Sequence, residues 1–338
     1  LKNKTPAANT LDNQSTPHVT VLVLHWRGID KTRECLKSLK ELDYPHYSIL
    51  LVDNGSENND GATLKSEFEN LEILRLSTNH GFAGGCNQGI KHQLAKTADK
   101  QEESYIWLLN NDATVRPENL KRLTFVLSAN TKAGAAAALV LEGKDGEKRA
   151  ATGVGKIDFA KAKTYLKPVP ENAASVTNSV LSCDWVTGSN LLLKESVLRE
   201  IGLFDERYFL YFEDVDLCLR IRKAGYECLL VADTMIEHEG SASTQGGLSL
   251  WRAYYHTRNR LLFFALHAPL YLKPWAFFLI SLHVFKHCLT LPGRGPSGKA
   301  KLKVELMGYS DYCLRTFGQS KRLDWCENFV FDKPKKTE

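Results

Sequence analysis

Ser48-Ile49-Leu50-Leu51-Val52-Asp53-Asn54-Gly55-Ser56 is an apolar run that stops at a carboxylate, an amide, a glycine and a hydroxyl in succession. A strand that is apolar on both sides of its pleat is covered on both faces, so the polar end marks where this one emerges. Val19-Thr20-Val21-Leu22-Val23-Leu24, Leu71-Glu72-Ile73-Leu74-Arg75-Leu76 and Tyr105-Ile106-Trp107-Leu108-Leu109-Asn110-Asn111-Asp112 repeat the theme, with helix-length segments between them. Successive βα units predict an α/β fold with a mainly parallel central sheet flanked by helices. Ligands of such sheets sit beyond the carboxyl ends of the strands, which is where these polar residues fall.

The 338 residues suffice for one large α/β domain with an appendage. With 43% hydrophobic and 25% charged residues, wholesale disorder is excluded. A net charge of +5 suits anionic partners such as nucleotides or a membrane surface, and without dense Lys/Arg stripes nucleic acid is not expected. Eight cysteines without a CxxC pair support neither a zinc site nor a redox motif, and a reduced, cytoplasmic setting is expected. Residues 1–17 read as a disordered lead without an apolar core of the signal-peptide kind. Residues 18–250 read as the catalytic unit and 251–338 as a helical region.

In the second half, Tyr211-Phe212-Glu213-Asp214-Val215-Asp216-Leu217-Cys218-Leu219-Arg220 passes from aromatics to three acids and then to an amphipathic pattern. Acids in a first helical turn complement the helix dipole, and that alone is one reading of them. Met235-Ile236-Glu237-His238 closes another apolar run. Between these halves, residues 143–177 are expected to form loops or a hairpin near the site. The apolar stretch 270–291 is interrupted by Lys273-Pro274 and Lys286, and its unbroken piece, 275–285, is shorter than the roughly 20 residues a bilayer requires. Two readings stay open for it: an interfacial helix in peripheral contact with the inner face of the cell membrane, or a helix docked on the catalytic unit or on a homodimer partner.

Asn79-His80-Gly81-Phe82-Ala83-Gly84-Gly85-Cys86-Asn87-Gln88-Gly89 follows a strand and opens a helix. Glycines there let backbone approach a ligand and aim free N–H groups at an anion; close helix packing is the alternative. The spacing is not GxGxxG and no Gly-Lys-Ser/Thr follows, which disfavours a dinucleotide fold or a P-loop. Asp53 and Asp112 place two acids on one rim of the sheet. Asp53 suits a base edge, whereas Asp112, with His238 as a second ligand, suits a divalent cation, Mg2+ or Mn2+, completed by diphosphate oxygens.

Together with Trp185 and Gly188, these motifs resemble family 2 glycosyltransferases of the GT-A nucleotide-diphospho-sugar transferase fold, in particular the bacterial rhamnosyltransferase-like branch that builds surface polysaccharides. The resemblance spans residues 19–260 and implies inverting transfer of a sugar, L-rhamnose from dTDP-rhamnose as the first choice. The acceptor implied is a hydroxyl of a saccharide or lipid-linked saccharide. It further implies Asp214 as catalytic base; Asp53, Asn54, Ser56, Asn79, Gly81, Phe82, Gly84, Gly85, Asn87, Asn110 and Asn111 on the donor; Trp185, Gly188 and Glu213 on the acceptor; and Asp112 with His238 on the metal. Asn110 departs from the family pattern by replacing the first acid of its DxD position. Two other functions are open from the residues: a nucleotidyltransferase, for which the loop 79–89 lacks basic residues beyond His80, and a non-catalytic nucleotide-sugar or polysaccharide-binding subunit.

Overall fold

The computed structural model describes residues 16–99, 102–142, 149–150, 153–169, 179–238 and 247–328. Most of the expected lead 1–17, and the basic tail 333–336, lie outside them. The first half alternates as read: β1 (His18–His25), α1 (Ile29–Lys40), β2 (Tyr47–Asn54), α2 (Asp60–Glu67), β3 (Leu71–Leu76), α3 (Gly81–Lys96) and β4 (Ser104–Asn110). A two-residue β5 (Ala113–Thr114), α4 (Asn119–Ala129), β6 (Ala133–Glu142) and β7 (Arg149–Ala150) follow. The expected hairpin is β8 (Val154–Asp158) with β9 (Lys163–Lys167), and the sheet resumes with β10 (Val180–Cys183) and β11 (Asn190–Lys194). Next come α5 (Glu195–Ile201), α6 (Glu213–Lys223) and β12 (Glu227–His238), before the helices α7 (Gly247–His267), α8 (Lys273–Thr290) and α9 (Gly295–Cys313).

This is the GT-A fold, with its main sheet in the order β10-β12-β6-β11-β4-β1-β2-β3. The longest ladders, β1 with β2 and β4, β2 with β3, and β6 with β12, are parallel, whereas β11 runs antiparallel between β4 and β6. The sheet is therefore mixed. Val19, Val21 and Val23 pack with Leu36 and Leu39 of α1 on one face, and Leu22 and Leu108 pack with Cys86 and Ile90 of α3 on the other. Both faces are covered, which is why the strands read as continuous apolar runs. Trp107 is fully buried at the centre and its indole N–H donates to the Asn190 side chain at 2.9 Å, so the polar atom inside the core is satisfied.

The expected boundary at residue 250 falls inside α7. The Leu261, Leu262, Phe263 and Phe264 side chains of this helix share one apolar cluster with Phe212, Val215 and Leu219 of the acidic segment. Among the described residues no single helix is long and apolar enough to cross a membrane; Leu270–Thr290 and Pro292–Cys313 pass that test only as a pair bent by 46°. α8 buries Ala276, Ile280 and Val284 against its neighbours, so the docked reading holds for its inner face.

Candidate active site

A short, long-range strand pairing brings Asp112 and His238 together at the rim. β5 directly follows Asp112 and pairs antiparallel with the end of β12, setting His238 opposite Ala113. That register carries His238 Nε2 to 2.9 Å from Asp112 Oδ1, and the Asn110 side-chain amide lies 3.3 Å from the same nitrogen. Burial works to raise the Asp112 carboxyl, but the His238 hydrogen bond and the nearby charges of His238 and Lys31 outweigh it and hold the group below the ordinary carboxylate value. A carboxylate and an imidazole converging on one point form a donor set that fits Mn2+ in type. Among the described residues no group of three or more His, Cys, Asp or Glu side chains gathers in metal-binding geometry, so ligand oxygens would have to complete the shell.

Asp214 stands in the first turn of α6. Its Oδ2 accepts the Gly188 N–H at 3.0 Å and its Oδ1 accepts its neighbour's N–H, that of Val215, at 2.8 Å. Burial nevertheless pushes its carboxyl above the usual range, against the lowering effect of those N–H groups. The next residue along, Ser189, accepts the Asn110 N–H through its carbonyl at 3.0 Å. Two consecutive residues thus join the Asp214 side to the Asp112 side. A Cβ on Gly188 would meet the Phe82 ring at 3.1 Å and Asp214 Cβ at 3.4 Å, so glycine keeps this junction tight. Trp185, three residues before Gly188, is tied to the hairpin by donating its indole N–H to the Lys156 carbonyl at 3.3 Å.

The neighbouring acids divide the remaining work. Asp216 accepts from Arg220 Nε at 2.8 Å and lies 2.6 Å from His267 Nε2, tying α6 to α7. Burial opposes its ionisation, yet His267 and Arg220 prevail and keep its carboxyl low. Glu213 is buried and its Oε2 has no hydrogen-bond partner among the described residues. Burial, then the charges of Asp214 and Asp216, push its carboxyl well up, which favours the protonated form.

Several residues expected on the donor make internal hydrogen bonds in this structure. Asp53 is wholly buried and accepts from the Ser56 and Gly61 N–H groups and from Arg75 at 2.8 Å, so in this conformation the exposed member of the pair is Arg75. Ser56 caps α2 by accepting the Asp60 N–H. Asn54 donates to the Asn79 side chain and the Gly81 carbonyl, and Asn87 clamps both backbone groups of Phe204. Asn111 donates to the Arg27 carbonyl and to Thr32. The glycine loop itself requires correction. Its Phe82 and Ala83 N–H groups donate to the Phe209 carbonyl, at 2.8 and 3.3 Å, and that of Gly81 to Asn79, so they are not aimed at an anion. Gly81 has a φ of +70° and its missing side chain is what lets Phe209 approach; Gly84 lies against His80, and Gly85 against Leu24 and Asn54.

Sequence reasoning missed two elements. One is His25 at the end of β1, fully buried between Thr32 at 2.7 Å and Asp60 at 3.0 Å. The other is the pair Arg258 and Asn259 on α7. Asn259 Nδ2 donates to the carbonyls of Tyr208, Leu210 and Tyr211, and the Arg258 guanidinium to those of Arg207, Tyr208 and Gly318. They grip the loop leading to Asp214, where Phe209, Tyr211 and Phe212 all have positive φ.

The sequence matches the model of glycosyl transferase family 2 over residues 20–186 and that of glycosyl transferase family group 2 over 105–294. It is 27% identical to the N-acetylglucosaminyl-diphospho-decaprenol L-rhamnosyltransferase of Mycobacterium tuberculosis, covering 76% of this chain and 88% of that one. To the rhamnosyltransferase WbbL of Escherichia coli it is 26% identical, covering 61% of this chain and 78% of that one. The mannosyltransferase PcManGT from Pyrobaculum calidifontis, solved with GDP-Man and Mn2+, superposes with a TM-score of 0.54 at 16% identity over 92% of this chain and 91% of that one, a likeness of fold. The chain therefore belongs to the family 2 glycosyltransferases and is similar to their rhamnosyltransferase branch.

Proposed function

We propose that this glycosyltransferase moves a sugar, L-rhamnose from dTDP-rhamnose in first place, from a nucleotide-diphosphate donor to a saccharide or lipid-linked saccharide, with inversion at the transferred carbon. The observation that carries the reading is the junction at Gly188 and Ser189, which ties a partly exposed carboxylate, Asp214, to the strand end bearing Asn110 and Asp112. The names of the relatives, two of them rhamnosyltransferases, support the choice of sugar.

In this mechanism the acceptor hydroxyl lies against Asp214, which takes its proton as the hydroxyl oxygen attacks. Gly188 and Val215 N–H groups fix the carboxylate in one orientation, and its partial burial makes it a stronger base than an exposed aspartate. The Phe82 ring lies against Gly188 at this junction. Asp112 and His238 would hold a divalent cation against the donor diphosphate. Such a cation, when bound, supplies charge stabilisation for the departing nucleoside diphosphate.

Nucleotide-dependent thermal stabilisation tests the donor half. A ligand that binds only the folded state raises the midpoint by mass action, by the equivalent of about 2.7 kcal/mol at a hundredfold excess over Kd. The expected result is a shift with one nucleotide family, enlarged by Mn2+ and lost in Asp112→Ala. Folded protein that shifts with no nucleotide would reject a donor site here and favour a polysaccharide-binding role.

A further inference from the structure

α7, α8 and α9 border a cavity of about 530 Å3 that the transfer mechanism does not use. Its polar lining is basic: Arg252, His256 and Arg260 from α7, His283 and His287 from α8, and Lys301 from α9. Its acid, Glu305, is taken by His287 at 2.6 Å. Among the described residues none of Arg252, Arg260 and Lys301 is in an ion pair, and Arg260 Nε donates to the Ala162 carbonyl at 2.8 Å. Burial, then the charges of Arg252 and Arg260, push His256 down to about 4; burial, His287 and the charges of Arg260 and Lys301 do the same to His283. Three cations, Arg252, Arg260 and Lys301, thus stand against one acid in this lining, and guanidinium forks with imidazoles match phosphate oxygens.

Two further observations say where such a phosphate comes from. His256 lies with its ring 5.2 Å from that of Tyr211 and 5.4 Å from that of Phe212, so one wall of the cavity supports the segment that carries Asp214. On the opposite side of α8, Trp275, Phe278, Phe285 and Leu289 recur at intervals of three, seven and four residues and are 47, 51, 59 and 71% exposed. A stripe of this kind, with Lys273 and Lys286 on the same helix, suits burial in the outer layer of a bilayer, which sets the cavity near headgroup level.

We propose that this cavity holds the diphosphate of a lipid-linked acceptor through Arg252, Arg260 and Lys301, while the outer face of α8 rests in the lipid surface. The inference rests on the transferase reading above and identifies where its acceptor is gripped. It assigns the cations a ligand one layer of side chains away from the base.

The test is calorimetric titration of the full chain, with UDP or dTDP and Mn2+ saturating so that the donor site is filled. Farnesyl diphosphate, inorganic pyrophosphate and farnesol are the probes. Farnesyl diphosphate is expected to bind more tightly than either of the others, and Arg252→Ser and Lys301→Ser each to weaken it roughly tenfold, the loss of one charge-assisted contact. Arg252→Lys is expected to keep most of the affinity. Both side chains are exposed, so neither change threatens the fold. Unchanged affinity in the serine variants would overturn the site, and pyrophosphate binding as tightly as farnesyl diphosphate would overturn its lipid-linked occupant. A wild-type chain that shifts with no nucleotide is a separate failure, one that counts against the donor reading.

Discussion

Asp214→Asn is expected to lower sugar transfer by about 10²–10⁴-fold, the usual contribution of a positioned base, while donor binding stays near wild type. The amide is isosteric with the carboxylate but cannot take the acceptor proton. It also turns an NH2 toward one of the two backbone donors, Gly188 and Val215, that now face carboxylate oxygens. The resulting repulsion costs folding stability, though losing a desolvated charge offsets part of it. Donor affinity is expected to depend on the other side of the junction, where Asp112 and His238 meet at 2.9 Å. Single-turnover transfer, measured beside nucleotide-induced thermal shift, separates the two effects. A near-normal rate would move the base elsewhere, and Glu213, with its unpartnered buried oxygen, is the first place to look.

The pH profile carries the same argument. As the proposed base, Asp214 would work only when ionised, and burial raises its carboxyl above the usual value. Transfer by the wild type is therefore lost on acidification at a higher pH than an exposed aspartate would impose. Asp214→Asn removes that limb from whatever activity remains.

Strand ends were legible because a doubly covered parallel strand has one place to put polar residues, and Asp112 and His238 were singled out that way, whereas Asp214 was singled out by its place in a first helical turn. The same logic expected Asp53, Asn54, Ser56, Asn79 and Asn87 on the donor, and the structure shows each of them making internal hydrogen bonds. A polar residue at a strand end can serve a ligand or serve the turn, and residue type does not separate the two. Asn54 and Asn79 are consumed in holding the loop at 79–81, and the helix start that looked open to an anion is closed by the Phe209 carbonyl from a segment more than a hundred residues away. Long-range closure of that kind leaves no periodic signal. His25 escaped notice because it ends an apolar run without the Asp, Asn or Gly that marked the other ends.

The second large effect is expected at Asn259, which sequence alone gave no reason to single out. Its side chain is fully buried and its one NH2 serves three carbonyls, those of Tyr208, Leu210 and Tyr211, at 2.8 to 2.9 Å. Phe209, Tyr211 and Phe212 have φ of 63, 68 and 75°, a region that side-chain-bearing residues occupy at a cost of about 1–3 kcal/mol each. Such strain persists only where the surroundings over-determine it, and Asn259 with Arg258 is that constraint. Asn259→Ala leaves buried carbonyls without donors and frees the loop to relax, so global stability should fall by about 2–4 kcal/mol. Relaxation also moves Phe209, whose carbonyl caps α3, and the first turn of α6, where Asp214 sits. The turnover of the fraction that remains folded should therefore drop by more than tenfold or so, because about 1.4 kcal/mol of lost alignment is enough for that. Donor affinity should change little, since Asp112 and His238 are held by β5 and β12. Urea unfolding gives the first quantity, and kcat against KM below the unfolding range gives the second. Asn259 acts as a positioning residue if kcat falls while donor KM holds; a variant that loses stability but keeps its turnover would show that the loop finds its shape without the clamp.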